Sequence, residues 1–292
     1  MSRGKKRSRQ NRRASRGASW VQLGAIAVAF IVATALAWTA FNVSAAGVAE
    51  PREPGPIPTF GSANTITPKR QPVEVMARLE DPTKPFTISV LGDSTGAVAD
   101  NWVLQTAAWL SETYDRPVEF HQWAVESAPP TYLPEWDTSD GANAPIVVWN
   151  GSASGMPVSY TMDNYDALVQ VDPAGVDLVF VNHGHNQSAG TLVRDATPLV
   201  DKILTTMPNA ALVVIGQNAE GPDAPNYIGH EANVTSWLAE AKRREIATVD
   251  VHSPFVEYGP YTELLDEVGV HPTADGFTIW TSQVVALLSA TE

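Results

Sequence analysis

The chain has 292 residues, no cysteine, and 32 acidic against 19 basic side chains, a formal net charge of −13. Disulfides, thiolate catalysis and cysteine-ligated metals are therefore excluded, and an exported domain would be held by its core alone. The length allows one domain of about 200 residues plus appendages.

The first appendage is basic. Residues 1–17 carry eight basic side chains (Arg3, Lys5, Lys6, Arg7, Arg9, Arg12, Arg13, Arg16) and no acid, and Trp20 to Val43 then runs 24 residues without a charge. This predicts a cytoplasmic tail over 1–19 and a transmembrane signal anchor over 20–43. A cleavable signal peptide is the competing reading, with small residues at Val43-Ser44-Ala45-Ala46. A spanning helix needs about 20 apolar residues and a signal core only about 7 to 15, so length favours the anchor. Trp20 and Trp38 suit the two interfaces. Either way the basic flank stays in the cytoplasm and everything after residue 46 is exported, as a single-pass cell-membrane protein or, if cleaved, a secreted one.

A basic arm abutting an apolar span is a topology signal, and no nucleic-acid partner is expected from it. From Gly47 onward 11 basic residues face 32 acidic ones, a net charge of −21. Such a domain repels polyanions, which disfavours phosphodiester or anionic-membrane substrates and favours a neutral or acylated one.

Residues 44–84 are rich in proline (Pro51, Pro54, Pro56, Pro58, Pro68, Pro72, Pro82) and poor in apolar periodicity. They read as a semi-rigid linker, with the folded domain over 85–292. From there strands and helices alternate. Strands are predicted over 86–91, 118–124, 146–149, 176–181, 211–215 and 246–251, most of them nearly unbroken apolar runs of the kind buried on both faces. Helical spacing joins Val98, Trp102, Val103, Thr106 and Leu110; Leu192, Ala196, Leu199, Val200, Ile203 and Met207; Val234, Leu238 and Ala241; and Phe277, Trp280, Val284, Leu287 and Leu288. The fold class is α/β: three layers, α/β/α, around a mostly parallel sheet. Residues 125–145, with Pro129, Pro130 and Pro134, form an insertion, a long hairpin or lid. Trp123, Tyr132, Trp136 and Trp149 either line a substrate groove there or pack the insertion's own small core.

Chemistry concentrates at four places. Gly92-Asp93-Ser94 closes the first strand and enters a helix, which sets a serine hydroxyl at the carboxyl edge of the sheet, where α/β proteins bind ligands. His271-Pro272 precedes the last helix and supplies a base for it. Asn150-Gly151-Ser152-Ala153-Ser154-Gly155 and Gly184-His185-Asn186 each follow an apolar strand; a glycine N–H and an asparagine amide are the fixed donors an oxyanion requires.

In type and order these four segments resemble the SGNH hydrolases, also called GDSL-type esterases, over about Phe86 to Leu288. The resemblance implies a flavodoxin-like sheet, Ser94 as nucleophile, and an oxyanion hole formed by the N–H groups of Ser94 and Gly155 and the amide of Asn186. It implies a carboxylic-ester hydrolase that works through an acyl-serine and needs no cofactor. The substrate would be a small acyl ester or an acylated glycan or lipid. An O-acyltransferase acting on cell-envelope glycan uses the same intermediate.

The family's Asp-x-x-His-Pro is not matched: the chain reads Asp266-Glu267-Val268-Gly269-Val270-His271-Pro272, with Val268 where the acid belongs. Glu267, longer by a methylene, is the first choice to orient His271. Asp266 on a bulged loop and a main-chain carbonyl are the alternatives, and a catalytically impaired binding module is the reading if none serves. His183 and His185 form a His-x-His without a third ligand at suitable spacing, so no metal is expected. His121, His230 and His252 are given packing or surface roles, and Asp93 that of a helix cap.

Overall fold

The structure, a computed structural model of the chain, describes residues 66–137, 141–169 and 173–290. The basic tail over 1–19, the anchor over 20–43 and most of the linker over 44–84 lie outside the described residues. Among the described residues no helix is long and apolar enough to cross a membrane.

The described chain begins with a short helix, α1 (Pro72–Met76), and a 3₁₀ turn, Ala77–Glu80. The sheet and its helices follow: β1 (Phe86–Gly92), α2 (Trp102–Tyr114), β2 (Val118–Ala124), β3 (Thr131–Tyr132), β4 (Trp136–Asp137), β5 (Ile146–Asn150), α3 (Val158–Asp163), α4 (Tyr165–Leu168), β6 (Leu178–Asn182), α5 (Leu192–Thr206), β7 (Ala211–Gly216), α6 (Tyr227–Arg243), β8 (Ala247–Asp250), α7 (His252–Glu257) and α8 (Ala274–Leu288). All six strands expected from the sequence are present.

The sheet runs β3-β2-β5-β1-β6-β7-β8, with β4 also on β2; the six long strands are parallel and only β3 and β4 are antiparallel to their neighbour. Counting the long strands alone, the order is 2-3-1-4-5-6, whereas a flavodoxin-like sheet runs 2-1-3-4-5. The third long strand is wedged between the first two because the chain between β2 and β5 returns through β3 and β4 instead of through a covering helix. Ile146 N–H then bonds the carbonyl of Pro117 at 2.8 Å, and Phe86 N–H that of Pro145 at 3.1 Å.

Two cores flank the sheet, and the period of two along each strand decides which residue enters which. Ile88, Val90, Leu178, Phe180, Val213 and Ile215 face one side, with Val103 and Leu110 of α2 and Phe277 and Val284 of α8. Leu91, Val179, Val181, Leu212 and Val214 face the other, with Val158 of α3, Leu199 and Ile203 of α5 and Trp237 of α6. On the first side Trp102 stacks on Trp280, ring centroids 6.0 Å apart at 8°, and meets Phe180 edge-on. Truncating either indole to alanine would cost about 3–5 kcal/mol.

The linker is shorter than the sequence predicts. Val75, Met76 and Leu79 are buried in the same core as Ile88 and Trp280. Arg78 pairs with Asp177, and the buried Arg116 donates to the carbonyls of Leu79, Lys84 and Ala144. Pro72 sits in the first turn of α1, where a missing N–H costs nothing, and Gln71 N–H bonds Glu74 Oε2 at 2.9 Å. Prolines at 68, 72, 82 and 85 hid five helical residues too few to show a period.

Candidate active site

β1 lies between β5 and β6, so the chain crosses over it and the carboxyl ends of these three strands enclose the crevice where open α/β sheets place ligands. Ser94 follows β1 at the start of a 3₁₀ turn, Ser94–Gly96. Buried Asp93 braces that turn: its Oδ1 accepts from Thr95 N–H at 3.2 Å and from the Thr95 hydroxyl at 2.9 Å. Asp93 N–H is held by the carbonyl of Asn182 at 3.1 Å. A Cβ on Gly92 would stand 2.8 Å from the Asn182 carbonyl, so the close approach of β1 to β6 just before the serine requires glycine.

Ser94 Oγ lies 2.8 Å from His271 Nε2. On the other side of the ring, His271 Nδ1 lies 3.1 Å from Asp266 Oδ2. Glu267, the residue first chosen from the sequence, is exposed and takes no part. A hairpin brings Asp266 to the ring in place of Glu267. Leu265 and Pro272 form an antiparallel bridge, Asp266 N–H bonds the carbonyl of His271 at 2.8 Å, and Gly269, at φ +76°, lets the four intervening residues close. Asp266 Oδ1 accepts from the N–H groups of Val270 at 3.1 Å and His271 at 3.3 Å, which turns Oδ2 to the imidazole. Cross-strand pairing thus brings together residues five apart, and Val268 sits at the exposed tip. Partial burial pulls the Asp266 carboxyl upward, but the hydrogen bond and charge of His271 and the two amides outweigh it and hold its pKa below the usual carboxylate value.

Gly151, Gly155 and Asn186 are the donors that the two glycine-bearing segments offer to an oxyanion. Gly155 has φ +72° and open space where a side chain would be. The N–H of Gly151, by contrast, is committed to the carbonyl of Val90 at 2.8 Å. Asn186 Nδ2 is buried without a hydrogen-bond partner. An unsatisfied buried donor costs about 1–3 kcal/mol, so an acceptor that arrives with the substrate would recover that cost.

The loop after β7 contributes what sequence reasoning missed. Gln217, fully buried, reaches from Nε2 to both carboxylate oxygens of Asp93 at 3.0 Å and to Asn182 Oδ1 at 3.0 Å, while its Oε1 accepts His185 N–H at 2.8 Å. Asn218 and Glu220 meet the ring of His185, Nδ1 at 2.8 Å from Glu220 Oε1 and Nε2 at 3.1 Å from Asn218 Oδ1. The only signal was position: Gln217-Asn218-Ala219-Glu220 is a polar run straight after an apolar strand, at the sheet's carboxyl edge.

His183 and His185 do not share a ligand. His183 meets the Thr161 hydroxyl at 2.9 Å, and complete burial lowers its pKa to about 4. His185, Glu220 and His230 bring possible ligand atoms within 4.8 Å of one another. The two imidazoles, however, are stacked with centroids 4.2 Å apart at 8°, so their in-plane lone pairs run parallel and do not converge on one ion. His121 stacks on Trp149 at 3.9 Å. Trp123 and Tyr132 meet edge-on, as do Tyr132 and Trp149, and the Tyr132 hydroxyl bonds the carbonyl of Leu168 at 2.7 Å. These three aromatics of the insertion region pack on one another.

No protein-family model matches the chain, and no curated protein does. Solved structures match it. A GDSL-like lipase from Parabacteroides merdae superposes with a TM-score of 0.51 at 16% identity, over 70% of this chain and 96% of that one. A two-domain esterase active on acetylated mannans gives 0.53 at 15% identity, over 74% of this chain and 51% of that one. An acetyl xylan esterase from Geobacillus stearothermophilus gives 0.49 at 17% identity, over 71% and 97%. The fold is that of the SGNH, or GDSL-type, hydrolases, as the four sequence segments implied.

Proposed function

We propose that the chain is a serine hydrolase of short acyl oxygen esters. The observation that carries the reading is the continuous line from Ser94 Oγ through His271 to Asp266, at 2.8 and 3.1 Å. His271 Nε2 takes the hydroxyl proton as Oγ attacks the ester carbonyl. The N–H groups of Ser94 and Gly155 and the amide of Asn186 receive the oxyanion; a donor of this kind is worth about 10²–10³ in rate. Collapse expels the alcohol, which takes the proton from His271, and a water deprotonated by the same nitrogen then frees the acyl group. With Asp266 in hydrogen-bond reach of His271, Val268 no longer motivates an inactive binding module.

The substrate is a neutral acylated molecule, with acetylated glycan the first class to try. Net charge from Gly47 onward favours it, and one protein of the same fold is active on acetylated mannans. The chain acts outside the cytoplasm, tethered through residues 20–43.

The test is hydrolysis of 4-nitrophenyl esters of increasing acyl length, with fluorophosphonate labelling in parallel. Wild type turns over and is labelled; Ser94→Ala and His271→Ala lose both. Unchanged turnover in Ser94→Ala would refute the assignment.

A further inference from the structure

Four buried polar residues lie on the β7 side of the site without touching the reacting atoms: His185, Gln217, Asn218 and Glu220. Asn218 is fixed by its donors. Its Nδ2 reaches the carbonyl of Val270 at 3.0 Å and that of Ala219 at 2.9 Å, so its Oδ1 faces His185 Nε2 and can only accept. His185 must then donate there from Nε2 while donating from Nδ1 to Glu220, and only the imidazolium does both. Burial opposes that charge, but the Glu220 hydrogen bond and the Asp93 and Glu220 carboxylates outweigh it and raise the His185 pKa.

Val270 is the neighbour of His271, and Gly221 N–H also holds the carbonyl of Gly269 at 2.7 Å. His185 is the neighbour of Asn186, and its own N–H is held by Gln217, which grips Asp93 beside Ser94. Base, oxyanion donor and nucleophile therefore stand on three separate loops, each tied one residue away to the loop after β7.

We propose that His185, Asn218 and Glu220 are positioning residues: their buried charged relay holds the hairpin of His271 in register with the segments that present Ser94 and Asn186. The inference rests on the hydrolase reading above. It makes Glu220 matter for turnover although Glu220 meets no substrate. Glu220→Gln removes the anion that keeps two protons on His185; the neutral ring then holds Asn218 by a weaker, uncharged hydrogen bond, and the anchor of the Val270 carbonyl loosens. A misplacement of about 1 Å at a reacting group costs as much as 10²-fold in rate.

The experiment is steady-state hydrolysis of 4-nitrophenyl acetate by the full chain, well below each variant's melting temperature. Glu220→Gln and Asn218→Ala are expected to lower kcat by about tenfold or more with KM within about threefold, and to weaken the downfield Nδ1–H proton signal of His271. Tyr261→Phe is the control, because its hydroxyl bonds the main-chain carbonyl of Glu220, at 3.2 Å, and the side chain of Tyr227, and neither belongs to the relay's side chains. It loosens the same loop, leaves the relay intact and should keep wild-type kcat. If Glu220→Gln does not fold, Asn218→Ala, which buries no unpaired charge, carries the test. Wild-type kcat in the folded variants, or an equal loss in Tyr261→Phe, overturns the inference. Retained turnover in Ser94→Ala would instead overturn the hydrolase assignment, so the two failures are distinguishable.

Discussion

Asp266→Asn tests the hairpin triad most directly, and the structure sets the size of its effect. Oδ1 of residue 266 is occupied by the N–H groups of Val270 and His271, so an asparagine keeps its oxygen there and turns its amide nitrogen to His271 Nδ1. A donor at that place forces the neutral ring to carry its proton on Nε2, the nitrogen that must accept from Ser94. Loss of the orienting acid in this manner costs about 10⁴ in a serine protease. Here the side chains of Asp266 and His271 are 34% and 30% exposed, so water restores part of the correct tautomer. A loss of about 10³ in kcat, near 4 kcal/mol, is expected. Asp266→Ala should be milder, because a water in the vacated space accepts from Nδ1–H, and Glu267→Gln should be silent. The assay is 4-nitrophenyl acetate hydrolysis at neutral pH with circular dichroism as a fold check. Asp266→Asn within tenfold of wild type, or Glu267→Gln falling as far as Asp266→Asn, would refute the reasoning.

Asn186→Ala should cut kcat by about 10²–10³ while leaving the melting temperature equal or higher, since it deletes a buried amide nitrogen with no partner in the free protein; parallel kinetics and thermal melts check it. Gly155→Ala should lower stability by about 1 kcal/mol through the left-handed backbone alone, as its side chain meets nothing, and lower kcat by moving the N–H; urea titration separates the two effects. His183 gives a pH signature. Its folded pKa of about 4 lies below the unfolded value near 6.5, so the unfolded state takes up the proton first and stability falls as pH drops from about 6.5 to 4, by about 3 kcal/mol. His185 contributes with the opposite sign, its stabilisation present at low pH and lost as pH rises through its raised pKa. Melting curves of His183→Gln across that range should therefore lie flatter than wild type, and an unchanged slope would reject the assignment.

Sheet, layers and the serine-bearing turn were legible in the sequence because each has a local signature: apolar runs for strands buried on both faces, helical spacing for their covers, and a Gly-Asp-Ser turn between the two. What was not legible was set by pairing between distant residues. Glu267 was the natural choice on spacing from His271, but spacing does not reveal that Leu265 and Pro272 bridge and so bring Asp266 across. The strand order escaped for the same reason, since β5 and β6 are equally apolar and only the path through β3 and β4 decides which lies beside β2. Gln217, Asn218 and Glu220 carry no motif, and their roles exist only once β7 ends beside β6.

The distribution of buried polar groups follows from the same topology. Strands β1, β6 and β7 are buried along their whole length, and apart from Thr87 and Ser89 of β1 their polar residues come where they leave the sheet, all three at the same edge. Asp93, Asn182, His183, His185, Gln217, Asn218 and Glu220 are all buried and all stand within a few residues of those ends. A nucleophile on one of these loops and its base on a hairpin remote in sequence cannot be fixed by local structure, so hydrogen bonds between loops must fix them. Those bonds need desolvated, mutually satisfied partners to be stiff. The dense polar core at this edge and the proposed triad at its mouth are consequences of one arrangement: parallel strands that end together, with the chemistry placed where they stop.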